Sequence, residues 1–307
     1  MITPDNPYFR QVQLLVRAMP FIAAEECFAL KGGTAINLFL RDLPRLSVDI
    51  DLAFLPITDF PTARRQIAAA LDRIRNRLTT GSPAYHVVIG ANDGDGFIDT
   101  LNVSSGSVQV KIEVNPVLRG SFEEPQTIPV RPAVEQVFGF AEIKALSFND
   151  IYGGKLMAAL DRQHPRDLFD VKLLLENEGL SDRLFKSFLV FLVGHKGSLA
   201  DSLDPARKDI RRLFEQQFER MTADPVTLDE LVATREKLID EIRSRLGDRE
   251  KNFLLSVKMG KPDWDSVGLK QAKDLPAVKW KLHNLQKMPQ ADLEKALIRL
   301  RRTLESI

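Results

Sequence analysis

The 307-residue sequence predicts an α+β protein, with a mixed β-sheet in its N-terminal part followed by a mainly helical C-terminal half. Two observations lead to this prediction. The segment 107–115 (SVQVKIEVN) alternates apolar and polar residues with the period of two that a half-buried strand requires. From about residue 147 onward, nearly all of the chain instead repeats its apolar residues at helical spacing.

The N-terminal elements have recognisable boundaries. An amphipathic pattern predicts a first helix, and short apolar runs on either side of a glycine pair predict strands. A longer amphipathic stretch ends at Gly81, because glycine is a helix stop signal. In chain order, we predict a helix over 4–19, a strand at Phe28–Leu30, a helix over Thr34–Arg41, a strand within 47–52, a helix over 59–80, and strands near 85–90, 97–103 and 107–115.

Two connections and four later helices complete the predicted fold. The segment 92–97 (NDGDGF) is typical of a turn and is too short for a calcium-binding loop. The four prolines of 116–140 predict an irregular connector, since proline interrupts regular structure. Helical spacing then predicts helices over 166–178, 181–193, 206–221 and 228–246.

The most informative motif is a glycine pair followed by two alternating aspartates, Lys31-Gly32-Gly33-Thr34 and then Ser47-Val48-Asp49-Ile50-Asp51-Leu52. Backbone N–H groups at the mouth of the predicted helix favour phosphate, as does the helix dipole. The aspartates alternate on a strand, so both carboxylates point to one face about 7 Å apart. Hard divalent cations take such oxygen ligands. A metal site beside a phosphate cradle indicates nucleotide chemistry.

Glu113 is the candidate for a third acid. It faces away from the apolar side of the 107–115 strand, and it joins Asp49 and Asp51 if that strand pairs beside theirs. Two carboxylates about 4 Å apart repel by roughly 4 kcal/mol at an effective dielectric constant of about 20. Such a cluster therefore favours a bound cation or proton uptake. The alternative for Glu113 is a salt bridge to a surface lysine.

The segment KGGTAINLFLRDLPRLSVDIDLAF resembles the nucleotidyltransferase toxins of the AbiEii/AbiGii abortive-infection family, within the DNA polymerase β-like nucleotidyltransferase superfamily. Thr34 stands where many superfamily members have serine, and it keeps the hydroxyl. Three later segments are also similar to family motifs, namely Ile151–Leu156, Arg166–Asp170 and the tail stretches around Trp264 and Trp280. The resemblance implies a nucleotidyltransferase-like α/β domain over 1–140 and a helical domain over 141–307 that completes the active-site cleft.

The resemblance also implies roles for individual residues and partners. It implies an NTP substrate, Mg²⁺ with Mn²⁺ as the other option, tRNA as the acceptor, growth arrest as the outcome and an antitoxin encoded beside the toxin. The implied catalytic residues are Asp49, Asp51, Glu113, Lys155 and Asp167, of which Asp49, Asp51 and Glu113 bind the metal. The implied nucleotide-binding residues are Lys31, Gly32, Gly33, Thr34, Ser47, Lys155 and Arg166.

Lys155 lies near the middle of a predicted helix that begins near residue 147, runs to Asp161 and is ended by His164-Pro165. Two glycines before it leave the backbone approachable, and a lysine ammonium is a mobile point charge suited to a triphosphate. Chemistry alone supports a solvated, exposed lysine equally well. The family resemblance favours a functional one.

Asp167 and Asp170 fall in the first turn of the next predicted helix, where acids interact favourably with the helix dipole. Stabilisation of a helix start is therefore the alternative to a catalytic Asp167. Arg162 and Arg166 suit contacts with phosphate or RNA, and ion pairs with Asp161 or Asp170 explain them equally well.

Composition excludes several other classes of protein. The single Cys27 excludes an intramolecular disulfide or a thiolate zinc cluster, and the four scattered histidines lack metal-ligand spacing. The chain has no Walker motif, GxGxxG motif or Ser-His-Asp grouping. Because no apolar run approaches 18 residues and no signal-peptide core is evident, we expect a cytoplasmic protein that does not bind membranes.

Charge is distributed unevenly along the chain. Residues 249–307 carry 13 Lys/Arg against 7 Asp/Glu, whereas the other residues carry 30 against 35. The basic segment, with Lys279 and Lys281 at its centre, favours a polyanion such as RNA or an acidic protein, and a solvated surface is the alternative. Trp264 and Trp280 suit base stacking or a purely structural role.

Two further functions stay open at this stage. One is a nucleotidyltransferase that modifies a small molecule or a protein, and the other is a non-enzymatic nucleotide-binding module. The intact set of Asp49, Asp51 and Glu113 argues against the second, because a degenerate copy is expected to lose an acid.

Overall fold

The computed structural model describes residues 5–90 and 97–307, which form two compact units. One unit comprises the chain up to Ile151 together with Gln217–Pro225, and the other comprises Tyr152–Gln216 with Val226–Ile307. The division into domains at 140/141 stays a prediction. The predicted turn at 92–97 lies, apart from Phe97, outside the described residues.

The first unit is built on a seven-stranded mixed sheet, which confirms the predicted α+β class. The spatial order of its strands is β3-β4-β5-β2-β1-β7-β6. Strands β2/β5 and β1/β7 pair in parallel, and the other neighbours pair antiparallel. The strands are β1 Phe28–Lys31, β2 Asp49–Phe54, β3 His86–Gly90, β4 Thr100–Ser105, β5 Val108–Val114, β6 Gln126–Pro129 and β7 Glu142–Ala145.

Helices pack against this sheet. Helix α1 packs against β5 and β7, and α3 packs against β3, β4 and α1. Asp59 caps α3 by accepting a 2.9 Å hydrogen bond from the Thr62 backbone N–H, the usual role of an N-cap aspartate. The helices of this part are α1 Phe9–Ala23, α2 Gly32–Thr34 with a π-helical continuation Ala35–Leu40, α3 Phe60–Gly81 and α4 Pro132–Phe138.

The prediction of an irregular connector over 116–140 is wrong in part, because this stretch contains β6 and α4. Strand β7, which follows it, also escaped prediction. Two prolines of 116–140 occupy positions that are compatible with regular structure. Pro129 ends β6 at the edge of the sheet, and Pro132 is the first residue of α4. Proline lacks an N–H, so edge strands and first helical turns tolerate it.

From Phe148 onward the described chain is almost entirely helical, as predicted. The second unit is held together by pairs of packed helices such as α6/α10, α7/α13 and α11/α14. The helices are α5 Phe148–Asp161, α6 Pro165–Asn177, α7 Asp182–Gly194, α8 Leu199–Leu203, α9 Arg211–Gln217, α10 Leu228–Ser244, α11 Asp248–Lys258, α12 Trp264–Val267, α13 Pro276–Gln286 and α14 Gln290–Glu305.

The predicted helix over 206–221 is shorter than expected, since α9 ends at Gln217. The following residues belong to the sheet-containing unit, where they run beside the segment that leads into β2. Leu46 donates a backbone hydrogen bond of 2.7 Å to Met221, and Ala223 donates one of 2.8 Å to Pro44. Pairing with a distant segment thus overrides the local helical pattern. Across the described chain, no helix is long and apolar enough to cross a bilayer.

Candidate functional site

The two predicted aspartates lie on β2 in the middle of the sheet, between β1 and β5. In the β2/β5 register, Asp51 stands opposite Glu113 and Asp49 stands opposite Lys111. On the other side of β2, Asp51 stands opposite Lys31. Residues opposite each other share one face of a sheet. The condition set for Glu113, that its strand pairs beside the aspartate strand, is therefore met in the structure.

Lys111 is a site residue that sequence reasoning missed. Its Nζ donates a 2.5 Å hydrogen bond to Glu113 Oε2, so the salt bridge considered as the alternative for Glu113 is present. The bond to Glu113 raises the pKa of Lys111, and the charges of Asp49 and Asp51 raise that pKa further. Lys111 is thus within electrostatic range of all three acids. Its position two residues before Glu113 on the same strand face was the available signal.

Asp49, Asp51 and Glu113 carry the oxygen ligands that a hard divalent cation takes. The Glu113 carboxylate, however, is not assembled with the other two into a metal site. Asp49 and Asp51 present carboxylates from one face of β2, which is the donor type that Mg²⁺ takes. Among the described residues, no group of three His, Cys, Asp or Glu is assembled to hold a metal ion. Glu113 is directed to Lys111 instead, and it would have to exchange that partner to join Asp51.

Neighbouring side chains leave no room for a Cβ on either glycine of the pair. Gly32 has a φ of +72°, and a Cβ placed on it would lie 2.5 Å from Asp51 Oδ2. A Cβ on Gly33 would lie 2.7 Å from Arg45 Nη2 and 3.1 Å from Ser47 Oγ. The helical stretch that starts at Gly32 therefore opens directly beside an aspartate carboxylate. Its first backbone N–H groups lack intrahelical partners, as at any helix start.

Thr34 and Ser47 form a buried pair of hydroxyl groups next to the aspartate strand. Both are buried, with 1% and 6% of their surface exposed. The Thr34 hydroxyl lies 2.5 Å from the Asp49 carbonyl oxygen and 2.9 Å from Ser47 Oγ. Because a carbonyl only accepts, Thr34 donates to Asp49, and its remaining lone pairs face Ser47. The Thr34 hydroxyl therefore holds the backbone at Asp49 and is itself in contact with Ser47. The predicted contact of both residues with a nucleotide stays a prediction.

A Gly32→Ala substitution tests this close approach. We expect it to cost about 1–2 kcal/mol for the left-handed backbone and to add the clash with Asp51, so that transfer activity falls sharply. Gly106→Ala is a matched control, because Gly106 also has a positive φ (+60°) but a Cβ there meets nothing within 4 Å. Equal losses of stability and activity in the two variants, measured by urea unfolding and steady-state assay, would contradict the assignment.

The second predicted group of residues forms a buried ion cluster in the helical unit. Lys155 Nζ lies 2.9 Å from both Asp167 Oδ1 and Asp170 Oδ2, and the side chains of all three are at most 5% exposed. Arg162 donates to both oxygens of Asp167, at 2.5 and 3.0 Å. Burial alone would raise the pKa of Asp167, but the charge of Lys155 and the contacts with Arg162 outweigh it and hold the pKa below its ordinary value.

This geometry corrects three expectations for the region. Lys155 is not an exposed, mobile charge, since two carboxylates neutralise it in the interior. Arg162 pairs with Asp167 rather than with Asp161. Gly153 and Gly154 serve helix packing, because a Cβ on Gly153 would lie 2.9 Å from Ser187 Oγ and one on Gly154 would lie 3.3 Å from the Phe191 ring. The predicted catalytic roles of Lys155 and Asp167 remain predictions.

The predicted helix break at His164-Pro165 is present and organised by a cap. The His164 side chain accepts a 3.1 Å hydrogen bond from the Arg166 backbone N–H at the start of α6. Gln163, with a φ of +53°, is fully buried and accepts from the Lys208 N–H at 2.9 Å and from Arg235 Nη1 at 3.1 Å. Hydrogen bonds from Lys208 and Arg235 therefore hold the loop between α5 and α6.

The chain is similar to known proteins in sequence and in fold. The family model described as nucleotidyl transferase AbiEii toxin, type IV TA system, matches residues 13–284. MenT4, a nucleotidyltransferase toxin from Mycobacterium tuberculosis H37Rv, has a similar structure with a TM-score of 0.61 at 12% identity, covering 97% of this chain and 95% of MenT4. JHP933 from Helicobacter pylori gives a TM-score of 0.44 at 16% identity, covering 78% and 95% of the two chains. No curated protein matches the chain by sequence.

The match to the family model spans most of the chain, and the glycine pair and both aspartates lie within it. The similarity to MenT4 shows that the whole fold is shared. Nucleotidyltransferase toxins generally use an NTP and a divalent metal, and their type IV systems imply an antitoxin partner. The chain therefore belongs to the AbiEii family of nucleotidyltransferase toxins from type IV toxin–antitoxin systems.

Proposed function

We propose that this toxin transfers nucleotides from an NTP to tRNA in a Mg²⁺-dependent reaction. The observation that carries the proposal is the register that sets Asp51 beside Glu113, with Asp49 two residues away and Gly32 approaching the Asp51 carboxylate. Asp49 and Asp51 would hold the cation, and Glu113 would join them on leaving Lys111. When bound, the cation neutralises triphosphate charge.

The chain's own groups have separable roles in this reaction. The backbone N–H groups at Gly32 and Gly33 bind the phosphates of the NTP. Lys111, once released by Glu113, supplies a further positive charge on the same face. An acceptor hydroxyl oxygen forms a bond to the α-phosphorus while the bond to pyrophosphate breaks. Glu113 is the candidate to take the proton from that hydroxyl.

Lys155 and Asp167 act, in this proposal, by positioning rather than by contact with phosphate. The Lys155 ammonium is already paired with the carboxylates of Asp167 and Asp170, and Asp167 also pairs with Arg162. A buried ammonium already held by two buried carboxylates offers little attraction to a triphosphate. It instead fixes α5 against the start of α6.

Incubation with each radiolabelled NTP and total tRNA tests the proposed function. We expect label from at least one NTP in the tRNA band of a denaturing gel, lost on chelation of divalent metal and restored by Mg²⁺. A basic C-terminal segment favours a nucleic-acid acceptor over a small one. Label that appears only in protein or in a small molecule would refute tRNA as the acceptor, and transfer in the presence of chelator would refute the metal dependence.

A further inference from the structure

The helical unit contains an open pocket of about 430 Å³ with a strongly cationic lining. Five lining side chains are cations, and Asp292 is the carboxylate that lines it. The cations come from α11, α13, α14 and the loop after α7, namely Lys196, Lys258, Lys281, Lys295 and Arg299. This imbalance of charge favours an anionic ligand.

Lys281 differs from the other cations because it is buried and committed to the fold. Its Nζ donates to the backbone carbonyls of His195 at 2.9 Å and Gly197 at 2.5 Å, just beyond the end of α7. A cation at a helix C-terminus satisfies free carbonyls and the helix dipole. Lys281 thus adds charge to the floor of the pocket but is unsuitable for a charge-reversal test. Lys279 is unsuitable too, since it pairs with Asp274 at 3.1 Å.

Three of the cations have no acidic partner. Within the described residues, Lys196, Lys258 and Lys295 form no ion pair, whereas Arg299 pairs with Asp201. Burial lowers the pKa of Lys258. Burial, and to a smaller extent the charge of Lys258, lowers the pKa of Lys281 to about 8. These cations repel one another, and an anion bound among them would relieve the repulsion.

Trp280 gives the pocket an aromatic wall. Its side chain is 43% exposed and lines the pocket from α13. The other tryptophan, Trp264, packs on Phe253 with ring centroids 5.3 Å apart and has a structural role. An exposed indole beside unpaired ammonium groups matches the two parts of a nucleotide, because bases stack on aromatic rings and phosphates bind lysine.

We propose that this pocket binds an unpaired nucleotide of a single-stranded nucleic acid, with its base on Trp280 and its phosphates among Lys196, Lys258 and Lys295. The pocket volume lies within the usual range for small-ligand sites of about 300–1,000 Å³. A concave pocket with a stacking ring favours a nucleotide over an acidic protein segment, which has carboxylates but no base. This inference rests on the proposed function, because the nucleic acid held here is the acceptor of the transfer reaction. RNA binding is measured without NTP, so a failure of binding at this pocket is distinguishable from a failure of transfer.

Binding of a labelled eight-nucleotide single-stranded RNA to the Trp264→Phe protein tests the proposal, since Trp280 is then the only tryptophan. We expect the RNA to quench Trp280 emission and to bind less tightly as salt rises. The double variant Lys196→Glu/Lys295→Glu should bind roughly tenfold or more weakly, and its salt slope should fall by about 1.4, or about 0.7 per lost contact. Trp280→Ala should weaken binding by roughly 5- to 150-fold.

The control is Lys237→Glu/Lys273→Glu, which makes the same change of net charge at exposed lysines outside the pocket. This control should bind RNA as the parent does, and circular dichroism melts should show all variants folded. The proposal is overturned if the pocket variant binds like the control, or if RNA binds without quenching Trp280. It is also overturned if polyglutamate displaces the RNA at lower concentration than unlabelled RNA does, which would assign the pocket to an acidic protein.

Discussion

Replacing Asp51 by Asn should lower nucleotide transfer by more than roughly 10²–10³-fold, the loss typical of a preorganised electrostatic group. The substitution keeps the size of the side chain and its place opposite Glu113, but removes the charge that holds a divalent cation. Asp49→Asn should have a similar effect. Transfer of label from NTP, measured at saturating Mg²⁺, checks both variants.

Stability separates this loss of function from a loss of fold. Removing one charge from neighbouring acids relieves repulsion, so Asp51→Asn should unfold in urea at the same concentration as the parent or slightly higher. Asp182→Asn is the control, since that side chain is 96% exposed and lies outside the sheet-containing unit. A folded Asp51→Asn toxin that retains near-parental, Mg²⁺-dependent transfer would remove Asp51 from the site.

Lys155→Met should destabilise the protein by about 3–5 kcal/mol, the cost of breaking a buried ion pair by removing one partner. Asp167 and Asp170 are both buried within 2.9 Å of the ammonium, so water cannot replace it. An exposed lysine would instead predict little change. The free energy of unfolding in urea gives the measurement, and Lys172→Ala is the control on α6, where the pair with Glu176 is worth less than about 1 kcal/mol.

The pH dependence of this loss has a defined sign. Lys155 and Arg162 hold the pKa of Asp167 below its ordinary value, so this carboxylate adds stability above pH about 4 and loses it as the pH falls further. In the Lys155→Met variant, the ionised Asp167 carboxylate contributes less to the free energy of unfolding. The stability difference between parent and Lys155→Met should therefore be greatest at neutral pH and should narrow below pH about 4. A difference that widens on acidification would contradict the ion cluster.

A second substitution distinguishes positioning from catalysis at Lys155. Lys155→Met/Asp170→Asn also removes the charge of one of the two carboxylates that Lys155 contacts, and it should recover part of the lost stability. If Lys155 acts only by positioning, activity per folded molecule should recover in parallel. Recovered stability with transfer still reduced by about 10²-fold or more would show that the ammonium itself assists the reaction.

The sequence alone determined the fold class, the family and the acids on β2. These features are local: alternation on a strand, a glycine pair at a helix start, and a helix stop at Gly81 all lie within short stretches of chain. The alternation of 107–115 predicted the strand that carries Glu113, but only the structure showed that this strand pairs beside the aspartate strand.

Only the tertiary structure decided which charged and polar side chains are buried and what they contact. Lys155 and Lys281 look like ordinary helix-surface lysines in the sequence, yet Lys155 pairs with two buried aspartates and Lys281 binds carbonyls 84 and 86 residues away. Thr34 likewise donates to the strand carbonyl of Asp49. The physical reason is that the free energy of a charge depends on its solvation and partners, which are set by segments distant in sequence rather than by neighbouring residues.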